Sequence, residues 1–413
     1  MDLANVKYWK HPSKTNCVFV EENDSPLISI DFWFKAGISF EEKEKVGLAH
    51  FLEHMIFKGS KLLKPGEFDL RIEALGGFSN ASTGYDDVHY YVDIPPCNLE
   101  EALSLLINLV LFPNLNEEDY KLEKKVIIEE ILQSQDQVDE LIFNLFLKSV
   151  WLDHPYAKSI LGNEENINEL ELIDLKNFHR SQYNPTNSCI AIAGKLPRNH
   201  LEILKNCELK NFKKNSTDSN QICINNKFIR KGRKIAFFKD IEFSRILMAW
   251  QINNFNDQKY TLGYEIVSSI LTDGRNSILN RSLKEDKQIV ESIYSGIHSG
   301  ELGSLFIIEA NFKKENQKMV EDSIDNLLQN LLTHSNLINK IKKAIRIVKS
   351  NYIFNLETSS QLANFYGNHL LWGRLYPQLE LSKNLKYWEN TENLKKLINF
   401  LLQDKFTFIA HNK

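Results

Sequence analysis

Two apolar runs about 200 residues apart close the two halves of this chain in the same way. Ser188-Cys189-Ile190-Ala191-Ile192-Ala193, stopped by Gly194, reads as a buried strand, and Phe406-Thr407-Phe408-Ile409-Ala410 echoes it near the end of the chain. A chain of 413 residues exceeds what one hydrophobic core organises. The repeat therefore predicts two similar α+β domains, each a mixed, mostly antiparallel sheet with helices packed on it. The stretch Cys207–Arg233 is rich in Lys, Asn and Ser and carries little periodicity. It divides the chain into 1–206, a linker region 207–233 centred on Lys213–Gln221, and 234–413.

In the first half, Pro26–Phe34 reads as a strand bounded by Gly37, and Val88–Ile94 as another, stopped by Pro95-Pro96. Between them a helix spans roughly Phe68–Leu75, closed by Gly76. Asn98, with Glu101 three residues on, reads as the N-cap of a helix carrying Ala102, Leu105, Leu106 and Leu109. A further helix runs through Glu123–Glu130, with Leu122, Val126, Ile127 and Ile131 at core-facing spacing. In the second half, Ile235–Phe238 and Ile246–Trp250 read as strands and Thr261–Leu271 as a helix.

The chemistry is concentrated in Gly47-Leu48-Ala49-His50-Phe51-Leu52-Glu53-His54-Met55, which reads H-x-x-E-H. On a helix, residues three and four apart share a face, so His50 and His54 can point two imidazoles at one metal ion. Glu53 falls on the same side, within reach of a water on that metal. Zinc suits such a site because it takes His nitrogen and carboxylate oxygen in a tetrahedral shell and can leave one position open. A third protein ligand is required. Glu123 and Glu130 lie seven residues apart on one helical stripe, about 10 Å along the axis. One metal cannot take both directly, so one is a ligand and the other a supporting partner or unrelated. Glu129 reads as part of a solvated face, and His89 as a half-buried strand histidine.

The stretch Gly47–Lys58 resembles the active-site helix of the pitrilysin/insulinase family of zinc metallopeptidases, the inverzincins, which include processing peptidases. That family places a ligand Glu 76 residues beyond the second His; 130 − 54 = 76 selects Glu130. The resemblance implies that His50, His54 and Glu130 bind one zinc per chain, that Glu53 is the general base, and that Glu123 supports the site without touching the metal. Gly76-Gly77-Phe78-Ser79-Asn80-Ala81-Ser82-Thr83 resembles the family's edge strand, whose free N–H and C=O groups pair with an extended peptide; it implies that Asn80 and Ala81 bind substrate. Taken alone, Gly76-Gly77 reads as an ordinary hairpin turn. His154-Pro155-Tyr156, Gly162 and Tyr183-Asn184-Pro185-Thr186-Asn187 match further landmarks of a structural kind. The resemblance also implies that the two halves close like a clamshell around an unfolded peptide.

The second half has no H-x-x-E-H, so only the first can hold a metal in this way. It also departs from the family at the Arg and Tyr that hold substrate in many active relatives, where Lys284 and Glu291 stand. Lys keeps a charge without the planar fork of Arg, and Glu would repel developing negative charge. Arg275, Arg281 and Tyr294 are nearby candidates to compensate, each with an ordinary surface role as the simpler reading. Some bacterial relatives pair a zinc-bearing chain with a metal-free sister that carries the Arg and Tyr; this chain resembles the zinc-bearing kind, a homodimer being the other arrangement.

Composition narrows the rest. A net charge of −4 with Lys and acid interspersed excludes a basic footprint for nucleic acid or an anionic membrane surface. Five scattered cysteines (Cys17, Cys97, Cys189, Cys207, Cys223) without C-x-x-C fit a reducing compartment. No apolar run reaches membrane-spanning length and the N-terminus lacks a signal-peptide pattern, so the expected location is cytoplasmic. The expected function is a zinc-dependent endopeptidase acting on unfolded peptides or presequences. The alternative is a catalytically inactive or structural subunit of a peptidase-like complex.

Overall fold

The computed structural model describes residues 5–212, 230–252, 257–333 and 336–413. Their contacts divide into two units. The first contains a six-stranded sheet: β1 (Asn5–Lys10), β2 (Asn16–Glu21), β3 (Ile28–Phe34), β4 (Phe78–Thr83), β5 (Val88–Ile94) and β6 (Ser188–Gly194), in the order β1-β2-β6-β3-β5-β4. Only β2 and β6 pair in parallel; the other neighbours are antiparallel. The second contains β7 (Gly232–Phe238), β8 (Ser244–Ile252), β9 (Ser292–His298), β10 (Ser304–Phe312) and β11 (Phe406–Asn412), in the order β7-β11-β8-β10-β9, with β7 and β11 parallel. Setting β1 aside, the two sheets have the same connectivity and pairing senses. The two similar mixed-sheet α+β domains expected from the repeat are present, and β6 and β11 are its two matching runs.

β3 and β6 are buried along their whole lengths, which requires cover on both faces of the sheet. One face carries the helices Leu48–Phe57, Leu99–Leu111 and Leu172–Gln182 over a core of Phe32, Phe34, Phe51, Met55, Val92 and Leu106. The other is covered by the helix Ser359–Leu371, whose Leu362, Ala363 and Tyr366 pack on Val18, Trp33 and Ala191. Gly367 allows that seat: a Cβ there would lie 2.4 Å from the Trp33 indole nitrogen.

This helix comes from late in the chain. The first unit comprises Met1–Gln133, Lys158–Cys223 and Phe354–Pro377; the second comprises Ser134–Ala157, Ile224–Ile353 and Gln378–Lys413. In the second unit the helix Val138–Val150, from the early chain, packs against β11. Boundaries at 206/207 and 233/234 therefore do not by themselves separate the units, because each sheet takes cover from a helix encoded on the far side of the linker region. Lys213–Gln221 lies outside the described residues.

Local expectations meet different outcomes. Asn98 does precede the helix Leu99–Leu111, but its side chain makes no cap; its Nδ2 donates instead to the Leu75 carbonyl at 2.8 Å. In the helix Glu117–Asp136 the buried stripe is Tyr120, Glu123, Ile127 and Ile131, while Leu122 and Val126 are 58% and 48% exposed. The expected core spacing included the two wrong apolar residues, because a carboxylate occupies a buried position. His154-Pro155-Tyr156 is structural within the second unit: His154 stacks on Trp151 at 4.5 Å, and the Tyr156 hydroxyl accepts from the Leu302 N–H at 3.0 Å. The Asn184 side chain accepts from the N–H groups of Thr186 and Asn187, turning the chain into β6.

Candidate metal centre

The H-x-x-E-H segment forms the helix Leu48–Phe57. Its start is built by residues outside it. Gly47 takes φ +92° and lies so close to Gly162 that a Cβ on it would sit 3.1 Å from the Gly162 Cα and 2.8 Å from the Leu161 carbonyl oxygen, which gives Gly162 its structural role. The Glu41 carboxylate accepts from the N–H of Gly47 at 3.1 Å and of Ala49 at 2.8 Å, satisfying donors that a helix start leaves open. Burial pushes the Glu41 carboxyl up to about 8 despite those bonds.

From this frame His50 and His54 project one turn apart toward Glu130 on the helix Glu117–Asp136. His50 Nε2 lies 3.9 Å from one Glu130 oxygen and His54 Nε2 lies 3.5 Å from the other. One ligand atom from each of the three lies within 4.8 Å of the other two. Donors held about 2.1 Å from an ion at tetrahedral angles stand about 3.4 Å apart. Two imidazole nitrogens and one carboxylate oxygen at this spacing therefore fit a zinc ion and leave a fourth position open. This is the one such group among the described residues, and it lies wholly in the first unit. Burial, with His54 alongside, holds the His50 imidazole down at about 4, in its neutral, ligating form.

Glu123 does not share the metal position. It is 4% exposed; one carboxylate oxygen accepts from His54 Nδ1 at 2.9 Å and the other meets Lys58 Nζ at 2.5 Å. Burial would raise its pKa, but the His54 and Lys58 contacts outweigh that and hold it below the ordinary glutamate value. Glu129 is exposed, as expected of a solvated face.

Glu53 lies on the same helix face, and its carboxylate accepts a hydrogen bond from the Thr83 hydroxyl at the end of β4. Burial raises its pKa, against the lowering influence of Thr83, His54 and His89. Thr83 closes the Gly76–Thr83 stretch that carries the edge-strand resemblance, which gave this threonine no role of its own. β4 is the last strand of its sheet, so its outer edge has no strand partner among the described residues. Asn80 and Ala81 stand in the middle of that edge, and the Asn80 side chain accepts from the Ala81 N–H at 2.9 Å.

Beside this edge opens a cleft of about 650 Å³, lined by Asn80, Ser82 and Tyr91 and by Gln361 and Asn364 of the helix Ser359–Leu371. At its base His89 Nδ1 meets Asp31 at 2.9 Å, and the His89 ring stacks on Trp33 at 4.0 Å. His89 is thus a strand histidine paired with a carboxylate. Lys284 and Glu291 are both exposed in the second unit. Nearby, Arg275 pairs with Glu285 and Arg281 with Asp286, while Tyr294 on β9 is 62% exposed.

Residues 17–164 match the family described as Insulinase (Peptidase family M16), and residues 169–345 match the family described as Peptidase M16 inactive domain. The chain is 28% identical over 370 residues to a protein of Helicobacter pylori named zinc protease PqqE, covering 85% of this chain and 80% of that protein. It is 24% identical over 394 residues to an Arabidopsis thaliana protein named probable mitochondrial-processing peptidase subunit beta, covering 91% and 72%. The crystal structure of a protease from Helicobacter pylori superposes with a TM-score of 0.87 at 23% identity, covering 99% of this chain and all of that one. That last likeness concerns the fold.

Proposed function

Since the chain belongs to the insulinase (M16) peptidase family, we propose that it is a zinc-dependent endopeptidase that cleaves unfolded peptides or presequences. The observation that carries this reading is the convergence of His50, His54 and Glu130 beside Glu53. His50 Nε2, His54 Nε2 and a Glu130 oxygen would hold the ion. When bound, zinc supplies Lewis-acid polarisation to the peptide carbonyl and to the attacking water.

The chain's own residues supply the rest. Glu53 takes the proton of the attacking water and returns it to the departing amine. Thr83, bonded to that carboxylate, orients it from the end of β4. An extended peptide adds to the open edge of β4 through backbone hydrogen bonds, with Asn80 and Ala81 alongside. Because side chains alternate across a strand, every second substrate side chain would face the polar cleft bounded by the helix Ser359–Leu371. Burial of His50 and Glu123 keeps bulk water from competing at the inner side of the site.

The second reading is a zinc-bearing subunit that needs another chain, and Lys284 and Glu291 at the usual Arg and Tyr positions favour it. A metal-free sister chain, or a second copy in a homodimer, would then complete the substrate site. The deciding experiment is hydrolysis of a mixed peptide library by the purified chain, with and without a chelator, alongside zinc stoichiometry. Chelator-sensitive turnover with one zinc per chain supports the self-sufficient peptidase. Zinc without turnover supports the dependent subunit, and neither zinc nor turnover supports a structural role.

A further inference from the structure

We infer that Lys58 is a positioning residue for the metal centre: by clamping Glu123 it sets which nitrogen of His54 carries the proton and which faces Glu130. The inference rests on the metal-site reading above and assigns a role to a residue outside the ligand set.

Lys58 follows His54 by four residues, one turn along the same helix face, at the C-terminal cap of the helix Leu48–Phe57. There its ammonium also suits the negative end of the helix dipole. Its Nζ lies 2.5 Å from one Glu123 oxygen, and the other Glu123 oxygen lies 2.9 Å from His54 Nδ1. Both oxygens of a buried carboxylate are thus engaged, one by a cation and one by an imidazole. A buried carboxylate without such partners is costly, so loss of Lys58 frees Glu123 to turn toward water and away from His54. With the bond intact, Nδ1 carries the proton and donates to Glu123, and Nε2 presents its lone pair 3.5 Å from Glu130. An outer partner of this kind fixes the tautomer and ring orientation of a ligating histidine.

The other imidazole has no such device. Among the described residues, His50 Nδ1 is buried without a hydrogen-bond partner, so its ring is held there by packing. The polar orientation of the two-histidine pair therefore runs through a single line, Lys58 to Glu123 to His54.

Two physical expectations oppose each other here. Removing a cation next to a metal site would, by charge alone, tighten binding of a divalent cation. Removing a positioning residue weakens it. The sign of the change in zinc affinity separates them. The test measures the zinc dissociation constant by competition with a chromophoric chelator for wild type, Lys58→Met and Lys58→Arg. In parallel, nitrogen NMR reads the His54 tautomer in the metal-free proteins. Lys58→Met should weaken zinc binding about 10- to 100-fold and mix the tautomers, both read below the melting transition of the variant. Lys58→Arg, which keeps charge and donors, should restore both. Lys58→Gln replaces the Met variant if that one does not fold. Equal or tighter zinc binding by Lys58→Met, or an unchanged His54 tautomer, overturns the inference. If wild type binds no zinc, the metal-site reading fails, yet the metal-free tautomer measurement still decides the role of Lys58.

Discussion

The division of labour between two carboxylates on one helix is the clearest lesson at the residue scale. Glu123 and Glu130 are both glutamates on one stripe, seven residues apart, and nothing in their types separates them. Their surroundings do. Glu123 is pinned at both oxygens by His54 and Lys58, whereas Glu130 faces both Nε2 atoms. Glu53 is set apart by its bond to Thr83. Glu53→Gln keeps the shape but cannot accept a proton. It should retain one zinc per chain by metal analysis while peptide hydrolysis falls by about 10²- to 10⁴-fold. Cleavage at the wild-type rate would remove Glu53 from the role of base.

At the scale of elements, the metal helix depends on contacts its own sequence does not contain. Glu41, six residues before Gly47, supplies the acceptors for its first N–H groups. Glu41→Ala should therefore cost about 1 kcal/mol, which lowers the melting midpoint by about 1 °C for a chain of 413 residues. An unchanged melting curve would show that water caps this helix equally well. The helix Glu117–Asp136 shows why apolar spacing misled: Leu122 and Val126 face outward so that Glu123 can be buried against His54. A functional carboxylate on the buried stripe breaks the hydrophobic period at the place where the site is built.

For the whole molecule, several histidines are held neutral by their surroundings. Burial keeps His154, His179 and His369 down at about 4, against an ordinary value of 6.5. At these rings the unfolded chain binds protons that the folded chain refuses between those values, so their contribution to stability falls as pH drops from 6.5 toward 4. These three rings should pull the thermal midpoint of the metal-free protein down across that window, against the opposing rise from buried carboxyls such as Glu41 and Glu265, which burial pushes up to about 8 and about 7. His179→Gln, whose amide can still donate to the Val110 carbonyl that His179 Nε2 meets at 2.9 Å, should flatten part of the decline. A pH profile of the variant identical to that of wild type would show that the His179 ring protonates without unfolding.

How much was legible beforehand follows from which interactions are local. His50, Glu53 and His54 share a helix face through spacing alone, and the resemblance singled out Glu130. The repeat of β6 in β11 announced two similar domains, because each strand must be a buried apolar run to sit inside its sheet. Lys58 and Thr83 end the two stretches that carry the resemblance, but nothing local gives them a role: a lysine at a helix end and a threonine at a strand end are ordinary until Glu123 and Glu53 are brought to them. The exchange of Val138–Val150 and Ser359–Leu371 between the two units was equally silent, since an amphipathic helix specifies that it needs an apolar face but not which one. The sequence by itself determined the elements, the metal-binding residue types and their helical spacing. Tertiary structure alone decided what orients the imidazoles and which sheet each helix covers, because those outcomes depend on surfaces far apart in the chain.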